Sequence, residues 1–365
     1  MPPTDGFGSI AAMSHDILDR LNLSLPLFLA PMAGVGTPAL AAAVSEAGAL
    51  GALGLGAAGA GAAAQMIRET KGLTARPFNV NLFCHAPPQR DAAQEGAWIA
   101  RTAPLFAAFG AAPPSHLTEI YRSFRDAPDM LQVLLETRPA VISFHFGVPR
   151  ADQIASLRQT GAILIASATS LAEAQQIRDA GLDAIVAQGW QAGGHRGIFD
   201  PEAPDERLTT EALTRQLARD SGLPVIAAGG LMDGHDIAQA QSWGAVAAQL
   251  GTAFVACPES AADDGYRARF QPGQTVMTPV ISGRPARCLA NRWTEWGAAQ
   301  PAAAVAPYPC AYDLGKALNA AARARGEDGF GAHWAGTGAA RARPMPARDL
   351  TALLVREWAS HQPGA

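Results

Sequence analysis

The sequence predicts a (β/α)8 barrel carrying an additional, mostly helical lid subdomain, on three observations. Short apolar runs of β type alternate with helical segments, which is the order of a parallel sheet rather than a sandwich. Eight such runs can be traced, the number that closes a barrel. Two long stretches then interrupt the rhythm directly after a strand, on the side where barrels keep their loops.

The strands are placed at Leu27 to Pro31, Ala49 to Leu53, Phe78 to Leu82 and Val141 to His145, then at Ile163 to Ala166, Ala184 to Ala187, Val225 to Ala228 and Ala245 to Leu250. Helix signals fall between them. Thr37-Pro38 opens one helix, and Ser170 with Glu173 three residues later reads as a capping box for a helix over 171–180 that Gly181 ends. Asp233-Gly234 opens another, which stops at Gly244. Residues 84–138, with Pro87-Pro88 and Pro113-Pro114, and residues 255–345, around Tyr308, Tyr312 and Trp334, are expected to fold together over the mouth. That assigns 1–83 and 139–254 to the barrel, 84–138 and 255–345 to the lid, and 346–365 to a C-terminal helix and tail.

A chain of 365 residues with 48% hydrophobic and 16% charged residues has the material for a large core and too little charge for disorder. Its 28 basic and 32 acidic residues give a net charge of −4 with no basic block, so nucleic acid is not an expected partner. The cysteines, Cys84, Cys257, Cys288 and Cys310, form no CxxC and no metal-type spacing, which reads as free thiols in a reducing compartment and no metal site. Asp5, Asp16 and Asp19 precede any apolar run, unlike a secretory signal, and the stretch from Ala39 to Ala64 is too rich in glycine for a membrane span. A cytoplasmic protein, off the membrane, is expected.

Gly54-Leu55-Gly56-Ala57-Ala58-Gly59 is formally a GxGxxG, but no acidic residue follows about twenty positions on, as a dinucleotide site requires. It reads as a tight turn. Pro224 to Gly230 and Ala248 to Thr252 each end an apolar strand in glycine after the seventh and eighth strands, where barrels bind phosphate and bare backbone N–H groups can face an anion. Two ordinary turns are the competing reading. After the sixth strand, Gln188-Gly189 runs through Gly193-Gly194-His195-Arg196-Gly197, which aims an imidazole into the mouth. Arg196 either binds an anion or pairs with a carboxylate. Asn79 and Asn81 share one face of the third strand and need polar partners, while His145 on the fourth is either a ligand contact or a structural histidine.

Taken in order, Ala30-Pro31-Met32-Ala33-Gly34, Phe78-Asn79-Val80-Asn81, Ser143-Phe144-His145-Phe146-Gly147, Gln188-Gly189 through Gly193-Gly194-His195-Arg196-Gly197, and Ala227-Ala228-Gly229-Gly230 resemble the class I nitronate monooxygenases, formerly 2-nitropropane dioxygenases. The resemblance runs from about residue 25 to about residue 345. It implies FMN at the carboxyl end of the barrel, held by Pro31, Met32, Asn81, Gln188, Gly193, Gly230, Gln249, Leu250, Gly251 and Thr252. It implies His195 as the active-site histidine and a substrate pocket of Tyr121, His145, Tyr308, Tyr312 and Lys316, with Tyr121 the weaker match. A helix through 308–316 would set Tyr308, Tyr312 and Lys316 on one face, with Pro309 near its start.

The activity implied is oxidation of alkyl nitronates such as propionate 3-nitronate with O2, giving a carbonyl product plus nitrite or nitrate and detoxifying nitro compounds, in a monomer or homodimer. A positively biased pocket from His195, Lys316 and Arg196 would suit such an anion, and His195 with a near-neutral pKa would also deprotonate a nitroalkane. Two alternatives stay open. One is an FMN-dependent NAD(P)H:quinone or enoyl-acyl-carrier reductase on the same barrel; the other is a phosphate-binding barrel enzyme without flavin.

Overall fold

The protein is described here by a computed structural model, over residues 17–361. Its strands are β1 (Leu27–Leu29), β2 (Gly51–Gly54), β3 (Phe78–Phe83), β4 (Val141–His145), β5 (Ile163–Ala168), β6 (Ala184–Gln188), a two-residue β7 (Gly194–His195), β8 (Val225–Ala228) and β9 (Ala247–Leu250), followed by β10 (Thr275–Thr278) and β11 (Ala286–Leu289). All but β7, β10 and β11 form one parallel sheet of eight strands, ordered β1-β9-β8-β6-β5-β4-β3-β2. It closes into a barrel through a parallel bridge between Phe28 and Leu50, with Leu29 N donating to Leu50 O at 2.8 Å. The eight predicted strands are these eight.

Side chains alternate across each strand, so the barrel interior is read from every second residue. The lower layers are apolar: Phe28, Leu50, Ile165, Val186 and Ile226 pack together, with Ile17 and Leu21 beneath them. The layer toward the carboxyl ends is polar, with Asn81, Ser143 and Gln188 in it. Register puts Asn81 opposite Ser143. Outward-facing residues meet the surrounding helices in two further clusters.

Local signals set the helices. Thr37 caps Pro38–Glu46, its Oγ1 accepting from Leu40 N at 3.0 Å, and Asp233 caps Gly234–Ser242 in the same way. Ser170 caps Leu171–Asp179, but only half of the expected capping box forms. The Glu173 carboxylate instead accepts from Thr169 N, Thr169 Oγ1 and Phe199 N, three donors where the box would supply one.

One part of the expected lid lies elsewhere, while the C-terminal helix is found apart from the lid, as expected. Helix Pro128–Thr137 packs on Ala60–Leu73 through Met130, Leu134 and Ile67, as the barrel's own crossover between β3 and β4. Helix Ala347–Ala359 lies against Gly234–Ser242 and Pro38–Glu46 and completes the outer ring. Over the mouth, helix Ala92–Ala108 packs Trp98 and Phe106 against Trp293, Leu314 and Leu318. The lid is less helical than expected, since β10, β11 and β7 make a three-stranded antiparallel sheet. A two-residue strand among glycines has no alternation to announce it.

Trp98 is fully buried, with its ring 6.3 Å from Trp293 and 5.6 Å from Trp296. Trp98→Ala is therefore expected to cost about 3–5 kcal/mol of stability, read by denaturant unfolding. A loss under about 1 kcal/mol would show that this contact does not hold the lid.

Candidate active site

A cavity of about 270 Å³ opens where the polar layer of the barrel meets the lid. One wall is nearly free of side chains. Pro31 and Met32 follow β1, Gly193 follows β6, Gly230 follows β8, and Gly251 and Thr252 follow β9; Asn81, Gln188 and Gln249 form the floor. Leu250 does not face the cavity: one residue after inward-facing Gln249, its side chain points out into the core between sheet and helices.

The glycines are dictated by close approach of backbones. A Cβ on Gly193 would lie 2.5 Å from Gly336 N, and one on Gly336 would lie 2.7 Å from Gln191 O. Gly229 and Gly230 also take φ of +132° and +73°, which side-chain-bearing residues rarely adopt. Three loops thus meet backbone to backbone and leave the surface open that a phosphate or a planar ring needs. The residues present fit a flavin nucleotide. The GxGxxG turn is structural: a Cβ on Gly54 would sit 2.5 Å from Ala33 N, and one on Gly56 would sit 2.5 Å from the Phe83 ring.

The opposite wall carries rings and one cation. His195, His145, Tyr121, Tyr312 and Lys316 line it, along with Phe83, Tyr266 and Trp334. The Lys316 ammonium lies 5.0 Å from the Tyr121 ring centre and 5.4 Å from that of Tyr312. Burial draws the Lys316 pKa down, against the opposing charge of Asp313. Tyr308 is placed behind this wall. It precedes helix Cys310–Arg323, is buried, and packs its ring 5.5 Å from His195. Tyr266 comes from the five-residue helix Asp264–Ala268 and Trp334 from an irregular segment, both too short to carry a periodic signal, which is why the sequence singles out neither as a site residue. Ser167 also lines the cavity, two residues beyond inward-facing Ile165, and that parity would have found it.

His195 is held by its backbone as much as by its ring. Gln188 Nε2 donates to His195 O at 2.8 Å, and Gln188 Oε1 accepts from Gly197 N at 2.7 Å. His145 Nε2 donates to the same His195 carbonyl at 3.2 Å, which fixes the His145 tautomer. Strand β11 pairs Ala286 with His195 from above. The His195 ring meets Ser282 Oγ at 2.9 Å through Nε2. The Ser282 hydroxyl donates to Arg284 O at 3.2 Å, so its oxygen accepts from His195 Nε2–H and leaves Nδ1 as the unprotonated nitrogen.

Arg196 settles on the second of its two readings. It is 2% exposed, pairs with Asp205 through two bonds of 2.9 Å, and gives Nη1 to Gln188 O and Gly189 O. It braces the loop and takes no part in the cavity wall. Asn79 and Asn81 both donate from Nδ2 to Ser143 Oγ at 2.9 Å inside the barrel, while Asn79 Oδ1 is buried with no hydrogen-bond partner. The cysteines are free and buried, and no helix among the described residues is long and apolar enough to cross a membrane.

Burial lowers the histidines. His195 is pushed down to about 3 by desolvation and then by His145, Arg284 and His85; His145 and His85 fall to about 4, again chiefly by desolvation. His333, paired with Asn291, also falls to about 4. A near-neutral pKa, the condition under which His195 would serve as a base, is opposed by this burial. Each folded-state pKa lies below its unfolded value of 6.5, so the folded protein binds fewer protons than the unfolded one. The stability so contributed is complete above about pH 6.5 and drains away as pH falls toward 4. Calorimetry should show Tm dropping across that window; a flat Tm would contradict neutral buried imidazoles.

Relatives carry the same architecture. The chain matches the family described as nitronate monooxygenase over residues 15–357. It is 57% identical to a nitronate monooxygenase from Paraburkholderia phytofirmans, over 93% of this chain and 94% of that one. It is 50% identical to a nitronate monooxygenase from Pseudomonas aeruginosa, over 92% and 97%. A crystal structure of a nitroalkane oxidase from Streptomyces ansochromogenes superposes with a TM-score of 0.84 at 37% identity, covering 94% of this chain and 98% of that one. Because the match spans the barrel, the glycine wall and the ring-lined lid together, this chain belongs to the nitronate monooxygenase family.

Proposed function

We propose that this protein oxidises alkyl nitronates, such as propionate 3-nitronate, with FMN and O2, releasing a carbonyl compound with nitrite or nitrate. One observation carries the reading: a cavity with one bare glycine wall and, facing it, a wall of rings with neutral imidazoles and a single lining ammonium. The first suits a flavin phosphate and ring, the second a small anion held against that ring. FMN, when bound, supplies the electron acceptor that connects nitronate to dioxygen.

The remaining work belongs to the chain. Gly193, Gly230, Gly251 and Thr252 would hold the phosphate end, and Asn81, Gln188 and Gln249 the polar edge of the ring, with Pro31 and Met32 beside it. Tyr121, Tyr312 and Trp334 exclude water, and Lys316 at the rim attracts an anion. His195 offers Nδ1 as an acceptor. A pKa of about 3 makes it a poor base, which favours a substrate that arrives already deprotonated over a neutral nitroalkane. Clearing toxic nitro compounds in the cytoplasm is the role such an activity would serve.

The test uses the yellow holoprotein without oxygen, mixed with propionate 3-nitronate in one cuvette and NADH in another. A change in the flavin spectrum with nitronate alone is expected, followed by nitronate-dependent O2 uptake once air is admitted. Rapid bleaching by NADH alone would select the reductase reading, and absence of bound flavin after reconstitution would refute both. His195→Asn should keep nitronate turnover and any nitroalkane turnover alike within about tenfold of the parent, because an imidazole of pKa about 3 contributes little as a base. A selective loss of nitroalkane turnover by about 100-fold or more, the size of a general-base contribution, would overturn this and restore a base role.

A further inference from the structure

The Ser282–Arg284 turn holds a charge that the site has not yet used. Arg284 is 6% exposed, and among the described residues no carboxylate lies within ion-pair distance of it. Its Nη1 donates to Ile198 O at 3.2 Å, while Glu173 and Asp200 act on it only at longer range. Glu173 is already engaged by Thr169 and Phe199. The guanidinium instead lies 4.5 Å from the Phe146 ring centre and 5.7 Å from that of Tyr308. Those two rings sit 5.7 Å and 5.5 Å from His195, so the charge stands one ring behind the cavity.

Leaving a buried guanidinium without a carboxylate is costly, and the backbone around it is unusual as well. Phe146 takes φ of +69°, a conformation that non-glycine residues rarely hold. Gly283 takes +92°, and a Cβ there would lie 2.5 Å from Tyr308 N, so the turn is pressed onto the tyrosine backbone. With Arg196 spent on Asp205 and the histidines neutral, Lys316 at the rim is the cation that lines the cavity itself.

We propose that Arg284 is an electrostatic positioning residue: acting through Phe146 and Tyr308, its buried charge makes the adjoining cavity prefer an anionic ligand over a neutral one of the same shape. This rests on the nitronate reading of the site. A charge behind apolar rings is poorly screened and costs no ligand desolvation, since it never touches the ligand. The same charge opposes protonation of His195, alongside His145 and His85, so the cavity gains its positive bias without an imidazolium. Tyr308, Tyr312 and Trp334 also face His195, and none of them carries a charge at neutral pH.

Arg284→Lys, Arg284→Gln and Arg284→Met holoenzymes are compared for the KM of ethyl nitronate and the dissociation constant of neutral nitroethane. The two uncharged variants should raise the nitronate KM about tenfold, the effect of one partly screened charge, and leave nitroethane unchanged. Lysine should restore the nitronate KM. Imidazole NMR of His195, assigned with His195→Asn, should show titration at higher pH once the charge is gone. A parent-like nitronate KM in the uncharged variants, equal losses for nitronate and nitroethane, or a folded lysine variant that restores nothing would each overturn the proposal. If methionine prevents folding, glutamine, which can still donate to Ile198 O, carries the comparison. If the parent oxidises no nitronate, the functional reading fails by itself, and calorimetry with inorganic nitrite still decides for Arg284: about tenfold weaker binding to Arg284→Gln supports it and equal binding refutes it.

Discussion

Both ends of one amide hold the site together. Gln188, the last residue of its strand, donates to the His195 carbonyl and accepts from Gly197 N, so the loop between must fold back over the barrel mouth. Its glycines follow from that return path, because Gly193 then meets the backbone of Gly336 with no room for a Cβ. The lid sheet pairs with the same loop at His195, and Arg196, directly after it, is braced onto Asp205 and two carbonyls. Barrel, loop and lid are registered to one another through a segment of ten residues, and the imidazole sits where they meet.

Charge is handled in two ways around this segment. Arg196 is paired with a carboxylate and satisfied by carbonyl acceptors, the arrangement that makes a buried cation tolerable, although its charge still reaches His145. Arg284 is stacked on rings and has one carbonyl, so its field extends to its surroundings. The neutral histidines belong to the same arrangement. Desolvation and nearby positive charge both act against a second proton, and the imidazoles remain hydrogen-bonding groups rather than cations. A cavity built this way offers an anion a favourable potential without a counter-ion to displace.

The glycine wall shows how close approach and function share one constraint. Backbone contact between loops excludes side chains, and a surface without side chains is what admits a nucleotide. The same rule explains the misleading GxGxxG. Its glycines are required by Ala33 and by the Phe83 ring, and only Ala57 of that turn reaches the cavity.

Legible in the sequence were the barrel, its eight strands, several helix caps, and the glycines and strand-end polar residues that make up part of the cavity. Those features are written in local terms: alternation along a strand, a capping side chain three residues from its amide, glycines at strand ends. Parity of a strand would even have excluded Leu250 from the cavity beside Gln249. Tertiary structure decided the rest. The partner of Arg196 lies across a loop, the two-residue strand at His195 exists only because Ala286 pairs with it, and Tyr308 withdraws behind the wall because a turn packs on its backbone. Helix Pro128–Thr137 belongs to the barrel because of what it touches. Nothing local marks Arg284 either, since its charge matters through its burial and the rings it stacks on, and both are properties of the folded neighbourhood rather than of the residue.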